Sequence, residues 1–298
     1  MAEQFCTVPG DIELCYETFG DPAQPALLLT MGLATQMVGW HGDFCRALAD
    51  RGFHVIRYDN RDVGRSKSIG GRAPTLLQLL RRDKRAAVYT LGDMAADGIG
   101  LLDHLGIERA HVMGASMGGM IAQTMAAHHP DRVLSLVSMM ANTGARWHGE
   151  PSPRLYPVLI KPPPRGRDAY LDHAVWVFSK IGSPGFPPDE ADLRELAGQS
   201  FDRGLNPAGT GRQLAAIIAS GDRTPLLRTI SVPTLVIHGK QDRLVPLSGG
   251  RATARAIPDS RLLIIDGMGH DIPRGAWPRM LDAIEQNAAR AGTPAATR

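Results

Sequence analysis

Short apolar runs alternate with amphipathic stretches along most of the chain. The segment IELCYETFG alternates apolar and polar residues as a half-buried strand does, whereas PALLLTMG and RAHVMGAS are nearly continuous apolar runs. Between these runs, HGDFCRALADRG and YTLGDMAADGIGLLDHLGI place apolar residues at helical spacing. This alternation predicts an α/β protein with a mostly parallel, twisted sheet that carries helices on both faces.

The alternation is interrupted between Asn142 and residue 229. The stretch EPSPRLYPVLIKPPPRGR is rich in proline and basic residues, and the next sixty or so residues indicate helices broken at GSPGFPP and LNPAGTG. Strand and helix patterns then return in SVPTLVIHG, RATARAI, SRLLIIDG and PRMLDAIEQNAARAG. We therefore expect a core formed by residues 1–142 and 229–298, and a helical insertion, residues 143–228, that forms a cap between two late strands.

Composition excludes several classes of protein. The 298 residues contain 33 Lys plus Arg and 30 Asp plus Glu, a formal charge of +3 that is too balanced to indicate nucleic-acid binding. Cys6, Cys15 and Cys45 lack the paired spacing of a zinc site, so no metal is expected. No apolar run reaches membrane-spanning length, and the N-terminus has no signal-peptide pattern, so the expected location is the cytoplasm. Cys6 and Cys15 are expected to face each other, reduced, across a hairpin that turns at Gly10–Asp11.

The segment TLLQLLRRDKRAAVY, which includes residues 76–85, is apolar first and then strongly basic. It is compatible with a short amphipathic segment that touches lipid, with a flap over a pocket, or with a helix that has a solvated face. The last structure is the most frequent one for such a run. Membrane contact is therefore not the expected function of this segment.

A serine stands in the glycine-rich stretch HVMGASMGGMIAQ, where a strand should pass into a helix. Glycine weakens both kinds of element, so its repeated use between Gly114 and Gly118 indicates a special backbone path. The G-x-S-x-G pattern between strand and helix is typical of a turn that projects its serine, here Ser116, towards substrate. The backbone N–H of Met117 would then be placed to stabilise an oxyanion. A turn that merely joins strand to helix is the simpler interpretation of the same glycines.

A base and an acid follow the serine in the order that G-x-S-x-G hydrolases use. Asp242 lies just past the strand pattern TLVIHG, and His270 lies just past the next strand pattern. Because the ends of parallel strands share one edge of a sheet, both side chains can converge on Ser116. A serine hydroxyl needs such a base to become nucleophilic.

Other side chains compete for these roles. His270 is favoured as the base because the other nearby histidine, His238, lies within a strand pattern. Asp242 is favoured as the acid because Asp266 precedes the turn, Asp271 is too close in sequence to orient His270, and Asn142 has no charge. The second oxyanion donor is expected from the loop after the strand pattern ALLLT, where the chain turns at Gly32. We assign this role to the backbone N–H of Leu33, although Gly32 is equally compatible with an ordinary loop.

The motifs GASMG, HGKQDRLVP, GMGH and YDNRDVGRS resemble those of α/β-hydrolase-fold serine hydrolases, and the resemblance covers nearly the whole chain. Within this fold, the sequence resembles the group of aclacinomycin methylesterase, cofactor-free haloperoxidases and related esterases. Met31-Gly32 stands where many relatives have His-Gly, which leaves the backbone donor available. The pattern Asp59-x-Arg61-x-x-Gly64-x-Ser66 is expected to be structural, locked by a buried Arg–Asp pair. The resemblance implies acyl transfer from Ser116 to water without a metal or an organic cofactor.

Methionines crowd the expected catalytic edge, which is compatible with a roomy apolar pocket and equally with ordinary core packing. The candidate pocket residues are Met31, Gly32, Met37, Trp40, Met140, Trp147 and Trp176. The predicted function is hydrolysis of an apolar or weakly polar small-molecule carboxylic ester by a monomer or homodimer. Hydrolysis of carbon–carbon bonds, lactones or thioesters stays open, as does a ligand-binding protein without turnover.

Overall fold

One eight-stranded sheet forms the centre of the protein in the computed structural model, which describes residues 2–146, 148–155, 158, 161 and 163–292. Its strands are β1 (Gln4–Val8), β2 (Ile12–Phe19), β3 (Ala26–Thr30), β4 (His54–Tyr58), β5 (Ala110–Ala115), β6 (Val133–Met139), β7 (Thr234–Gly239) and β8 (Arg261–Ile265). They lie in the order β1-β2-β4-β3-β5-β6-β7-β8. The pairs β1–β2 and β2–β4 are antiparallel and all the other pairs are parallel, so the predicted sheet is confirmed.

Helices cover both faces of this sheet. The helices in the described residues are α1 (Gly42–Ala49), α2 (Leu76–Leu80), α3 (Leu91–His104), α4 (Met117–His128), α5 (Arg167–Ile181), α6 (Glu190–Asp202), α7 (Pro207–Ser220), α8 (Thr224–Leu227), α9 (Leu247–Ala256) and α10 (Trp277–Ala289). One apolar cluster packs α3 and α4 against the sheet, and a second packs α1 and α10 against the other face. The side chains of the central strands point alternately to these two faces, which explains why nearly every position of β3 to β7 is buried.

The β1–β2 hairpin corrects the prediction for the cysteines. Cys6 is paired with Leu14, and Cys15 is paired with Phe5, one residue away from the predicted register. Because neighbouring residues of a strand point to opposite faces, Cys6 and Cys15 lie on opposite sides of the sheet. All three cysteines are free thiols. A turn of three residues, centred on Gly10 with φ 83°, sets this register.

Helices α5 to α8 lie between β6 and β7, in the part of the chain where the strand–helix alternation was interrupted. In the basic segment, α2 begins at Leu76 and is capped by Thr75, whose side chain accepts the N–H of Gln78. Leu76 and Leu80 on this helix are 59% and 71% exposed. No helix within the described ranges is long and apolar enough to cross a membrane.

Candidate active site

Ser116 occupies the sharp turn between β5 and α4. Its φ of 56° and ψ of −121° lie in a region that residues other than glycine rarely adopt, and such conformations cluster at functional sites. The backbone N–H of Ser116 donates to the carbonyl of Met139 at 2.9 Å. The turn is thereby tied to β6, and the serine side chain stays partly exposed.

The glycines around Ser116 are required by close backbone contacts. A Cβ added to Gly118 would lie 2.2 Å from the carbonyl oxygen of Thr30, and one added to Gly114 would lie 2.0 Å from the carbonyl oxygen of Gly118. The Thr30 Oγ1 also donates to the Gly118 carbonyl at 2.7 Å. Sequence reasoning missed Thr30, whose only signal is a polar residue at the end of an apolar strand.

Asp242 and His270 meet beyond the ends of β7 and β8. His270 Nδ1 lies 2.7 Å from Asp242 Oδ2, and the carboxylate of Asp242 is buried. Its other oxygen, Oδ1, accepts the backbone N–H groups of Leu244 at 2.9 Å and Val245 at 2.8 Å. These bonds hold the carboxylate towards His270, so that an N–H at Nδ1 donates to Oδ2 and Nε2 is the ring nitrogen left to accept a proton.

Ser116 Oγ and His270 Nε2 are not joined by a hydrogen bond in the described part of the structure. In enzymes without substrate such contacts are often long and tighten only when substrate binds. The structure thus brings the predicted acid and base together, and places the predicted nucleophile after β5, at the same edge of the parallel sheet.

The competing side chains make other contacts. His238 is fully buried on β7, and its Nε2 donates to the carbonyl of Val245 at 2.7 Å. Burial lowers the pKa of His238, which keeps the ring neutral. The remaining competitors are also engaged elsewhere: Asp271 bonds Ser183, Asp266 accepts from Gln241, and Asn142 donates to Gly149.

The two predicted oxyanion donors lie on segments that flank Ser116. Met117 is the first residue of α4, where a backbone N–H has no partner within the helix. Gly32 packs against the serine, because a Cβ added to it would lie 3.1 Å from Ser116 Cβ. Leu33 follows Gly32 directly, so its N–H belongs to the loop beside the nucleophile.

The candidate pocket residues differ in exposure. Met37 and Trp40 are fully buried, so they contact neighbouring side chains rather than open space, and Trp40 stacks on Phe44 at 6.1 Å between ring centroids. Met31 and Met140 are buried except for 6% and 3% of their surfaces. Trp176 is half-buried on α5, with the Lys161 ammonium 5.1 Å from its ring centroid. Gly32 lies against Ser116, as described above, and Trp147 is outside the described residues.

The loop that begins at Asp59 is structural. Asp59 is fully buried and accepts the backbone N–H of Met37 at 2.7 Å. Arg61 Nε pairs with Asp97 Oδ2 at 2.6 Å and Asp59 pairs with Arg203, so each charged residue of the motif has a buried ion-pair partner outside the motif. Gly64, with φ 58°, has no room for a side chain, because its Cβ would lie 2.1 Å from Asp59 Oδ2.

The comparisons with known proteins agree with this geometry. The chain matches the family described as alpha/beta hydrolase fold over residues 25–273, and therefore belongs to that family of hydrolases. The rhodomycin D methylesterase DnrP of Streptomyces peucetius is 30% identical, and the match covers 92% of this chain and 94% of that protein. The 3-oxoadipate enol-lactonase 2 of Acinetobacter baylyi is 28% identical over 86% of each chain.

Solved structures of hydrolases are similar to this chain over nearly its whole length. The enol-lactonase from Burkholderia xenovorans LB400 superimposes with a TM-score of 0.70 and 25% identity, and covers 97% of this chain and 99% of its own. The thermophilic esterase from Thermogutta terrifontis has a TM-score of 0.70 and 25% identity, with 98% of this chain and 100% of its own covered. The predicted fold and family are therefore confirmed, and the relatives include ester hydrolases.

Proposed function

We propose that this protein is a serine hydrolase that cleaves apolar or weakly polar carboxylic esters of small molecules through an acyl-enzyme. The observation that carries the proposal is the 2.7 Å contact between His270 Nδ1 and the buried carboxylate of Asp242, at the same edge of the sheet as the strained turn of Ser116. A histidine that is oriented by a buried carboxylate is the base that a serine hydroxyl requires.

The proposed reaction has two halves. Ser116 Oγ attacks the ester carbonyl while His270 Nε2 takes the serine proton, and the N–H groups of Leu33 and Met117 stabilise the tetrahedral oxyanion. His270 then protonates the leaving alcohol, which departs and leaves the acyl group on the serine. Water activated by His270 attacks the acyl-enzyme, releases the acid and restores the serine hydroxyl.

The pocket and the surroundings of the site are part of the same proposal. The insertion, residues 143–228, acts as a cap over the catalytic edge, and the candidate pocket is lined by Met31, Gly32, Met140 and Trp176, with Met37 and Trp40 packed behind. The methylesterase relative supports a methyl ester as the substrate. A cytoplasmic location and a monomeric or homodimeric state stay predictions.

A lactone is the second candidate substrate. The enol-lactonase relative and the enol-lactonase structure favour it, and a lactone is an internal ester that the same residues can open. Thioesters and carbon–carbon bonds are further alternatives for the same catalytic groups. A ligand-binding protein without turnover is disfavoured by the presence of all three catalytic side chains.

The test is hydrolysis of p-nitrophenyl esters from acetate to long acyl chains, together with methyl esters and lactones, by wild type and Ser116→Ala. We expect the variant to lose about a thousandfold or more in kcat with its fold intact. Ser179→Ala, which removes an exposed hydroxyl on α5, is the matched control and should keep wild-type rates. A Ser116→Ala enzyme with wild-type rates would overturn the proposal, and so would a wild type that turns over none of these substrates.

A further inference from the structure

The loop beside Ser116 contains a strained residue that is not glycine. The N–H of Thr35 donates to the carbonyl of Gly32 at 3.2 Å and closes a four-residue turn. Ala34, the third residue of this turn, has φ 56°. Type II turns have positive φ at this position and favour glycine there, because a Cβ makes this conformation costly. An interaction from outside the turn is needed to compensate.

Gln213 provides this interaction from the insertion. Its Oε1 accepts the N–H of Ala34 at 2.9 Å, and its Nε2 donates to the carbonyl of Arg61 at 2.9 Å. The side chain lies on α7 and is fully buried. Because both ends of the amide are engaged, the orientation of Gln213 is fixed, and it links three segments that are far apart in sequence.

The hydrogen bond to Ala34 selects one orientation of a peptide unit. Type I and type II turns differ mainly by a flip of the central peptide, here the one between Leu33 and Ala34. An acceptor on the side of the Ala34 N–H favours the type II orientation. The peptide unit before the central one, between Gly32 and Leu33, carries the Leu33 N–H. These two peptide units meet at the Leu33 Cα.

A second contact from the insertion holds the same loop further along. Gln36 Nε2 donates to the carbonyls of Ser200 and Gly204, each at 2.8 Å, and Arg203 Nε donates to Gln36 Oε1 at 2.8 Å. This contact keeps the far end of the loop in place even when Gln213 is altered. Loss of Gln213 should therefore disturb the turn at Leu33 and Ala34 rather than detach the whole loop.

We propose that Gln213 is a positioning residue for the oxyanion hole: it holds the turn at Ala34 so that the Leu33 N–H points to the developing oxyanion. This inference rests on the proposed function, because it takes Leu33 as an oxyanion donor. It makes the insertion part of the catalytic geometry, in addition to its proposed role as a cover of the site.

The test compares Gln213→Met, which keeps the side-chain length but removes both hydrogen bonds, with wild type. We expect kcat to fall about tenfold or more while KM changes less than about twofold, because a displaced donor weakens binding of the transition state specifically. Affinity for a trifluoromethyl ketone, which forms an oxyanion on the serine, should fall by the same factor as kcat/KM.

Ala34→Gly in the Gln213→Met background is the decisive variant. Glycine favours the type II turn without help, so it should restore most of the lost kcat. Ser220→Ala is the matched control, since it removes another contact of α7 with the core, the 3.0 Å bond from the Leu91 N–H. It should lower thermal stability and leave kcat and KM unchanged.

Three results would overturn the inference: a folded Gln213→Met enzyme with wild-type kcat, a loss that appears in KM alone, or no rescue by Ala34→Gly. If Gln213→Met does not fold, Gln213→Asn, which is one methylene shorter, is measured against the same expectations. Failure of the proposed function is distinguishable, because Ser116→Ala would then keep wild-type rates. If Ser116→Ala is inactive and Gln213→Met is kinetically normal, only the role of Gln213 is wrong.

Discussion

The serine turn and the proposed oxyanion loop, which runs from Gly32 to Gln36, are neighbours, yet different parts of the molecule hold them. The Ser116 turn is fixed by the sheet itself, through the bond from the Ser116 N–H to Met139 and the bond from Thr30 to Gly118. The turn at Ala34 is fixed by Gln213, which belongs to the insertion. One side of the candidate site therefore depends on the core, and the other side depends on where the insertion lies.

The proposed acid and base, Asp242 and His270, show the same division. Asp242 receives both of its backbone hydrogen bonds from the loop that directly follows it in the core. The backbone N–H of His270 donates at 2.7 Å to the carbonyl of Ile181, the last residue of α5 in the insertion. Substitutions in the core contacts should thus affect folding, whereas substitutions in the insertion contacts should affect catalysis first.

The largest effect is expected from Gly118→Ala, on the core side. The new Cβ would lie 2.2 Å from the Thr30 carbonyl oxygen, so β3 and α4 would have to separate. We expect activity to be lost and the free energy of unfolding to fall by about 4 kcal/mol or more, measured by urea denaturation. Gly92→Ala on α3 is the control, because its Cβ would meet no atom closer than 3.3 Å. A stable, active Gly118→Ala enzyme would contradict the assignment of this turn to the sheet.

The same division explains how far the sequence predicts the site. The Ser116 turn depends on glycines that are adjacent in sequence, and Asp242 and His270 follow strands whose apolar patterns are clear. Gln213 bonds a residue 179 positions away, and its sequence neighbourhood gives no sign of the contact. The same limit explains the wrong pairing of Cys6, because a hairpin's register depends on how many residues its turn contains.

A second prediction concerns acid stability on the core side. His111 lies on β5, the strand that leads to Ser116, with its Nδ1 2.8 Å from Ser135 Oγ. Burial lowers the pKa of His111 from 6.5 to about 4 in the folded protein. The unfolded chain therefore binds more protons between these values, so stability is complete above pH 6.5 and decreases as the pH falls towards 4.

The measurement is the free energy of unfolding of wild type and His111→Gln across this pH range. The difference in pH dependence should amount to roughly 3 kcal/mol, which follows from the size of the pKa change. The pKa of His238 is also lowered by burial, but His238 is present in both proteins and cancels in the difference. Parallel pH profiles for the two proteins would rule out His111 as the titrating group.

The smallest effect is expected from Ser183→Ala, on the insertion side. Ser183 Oγ accepts the N–H of Gly269 at 2.9 Å and donates to Asp271, so one buried hydroxyl contacts both neighbours of His270. Removing it leaves the Gly269 N–H without this partner, which should cost about 1 kcal/mol of stability and let the His270 loop move. A displaced base lowers kcat more than it raises KM, and we expect a loss of about tenfold in kcat on the best p-nitrophenyl ester. A Ser183→Ala enzyme that lost stability but kept its kcat would show that the core alone is sufficient to hold His270. The division of the site between core and insertion would then apply only to the proposed oxyanion loop.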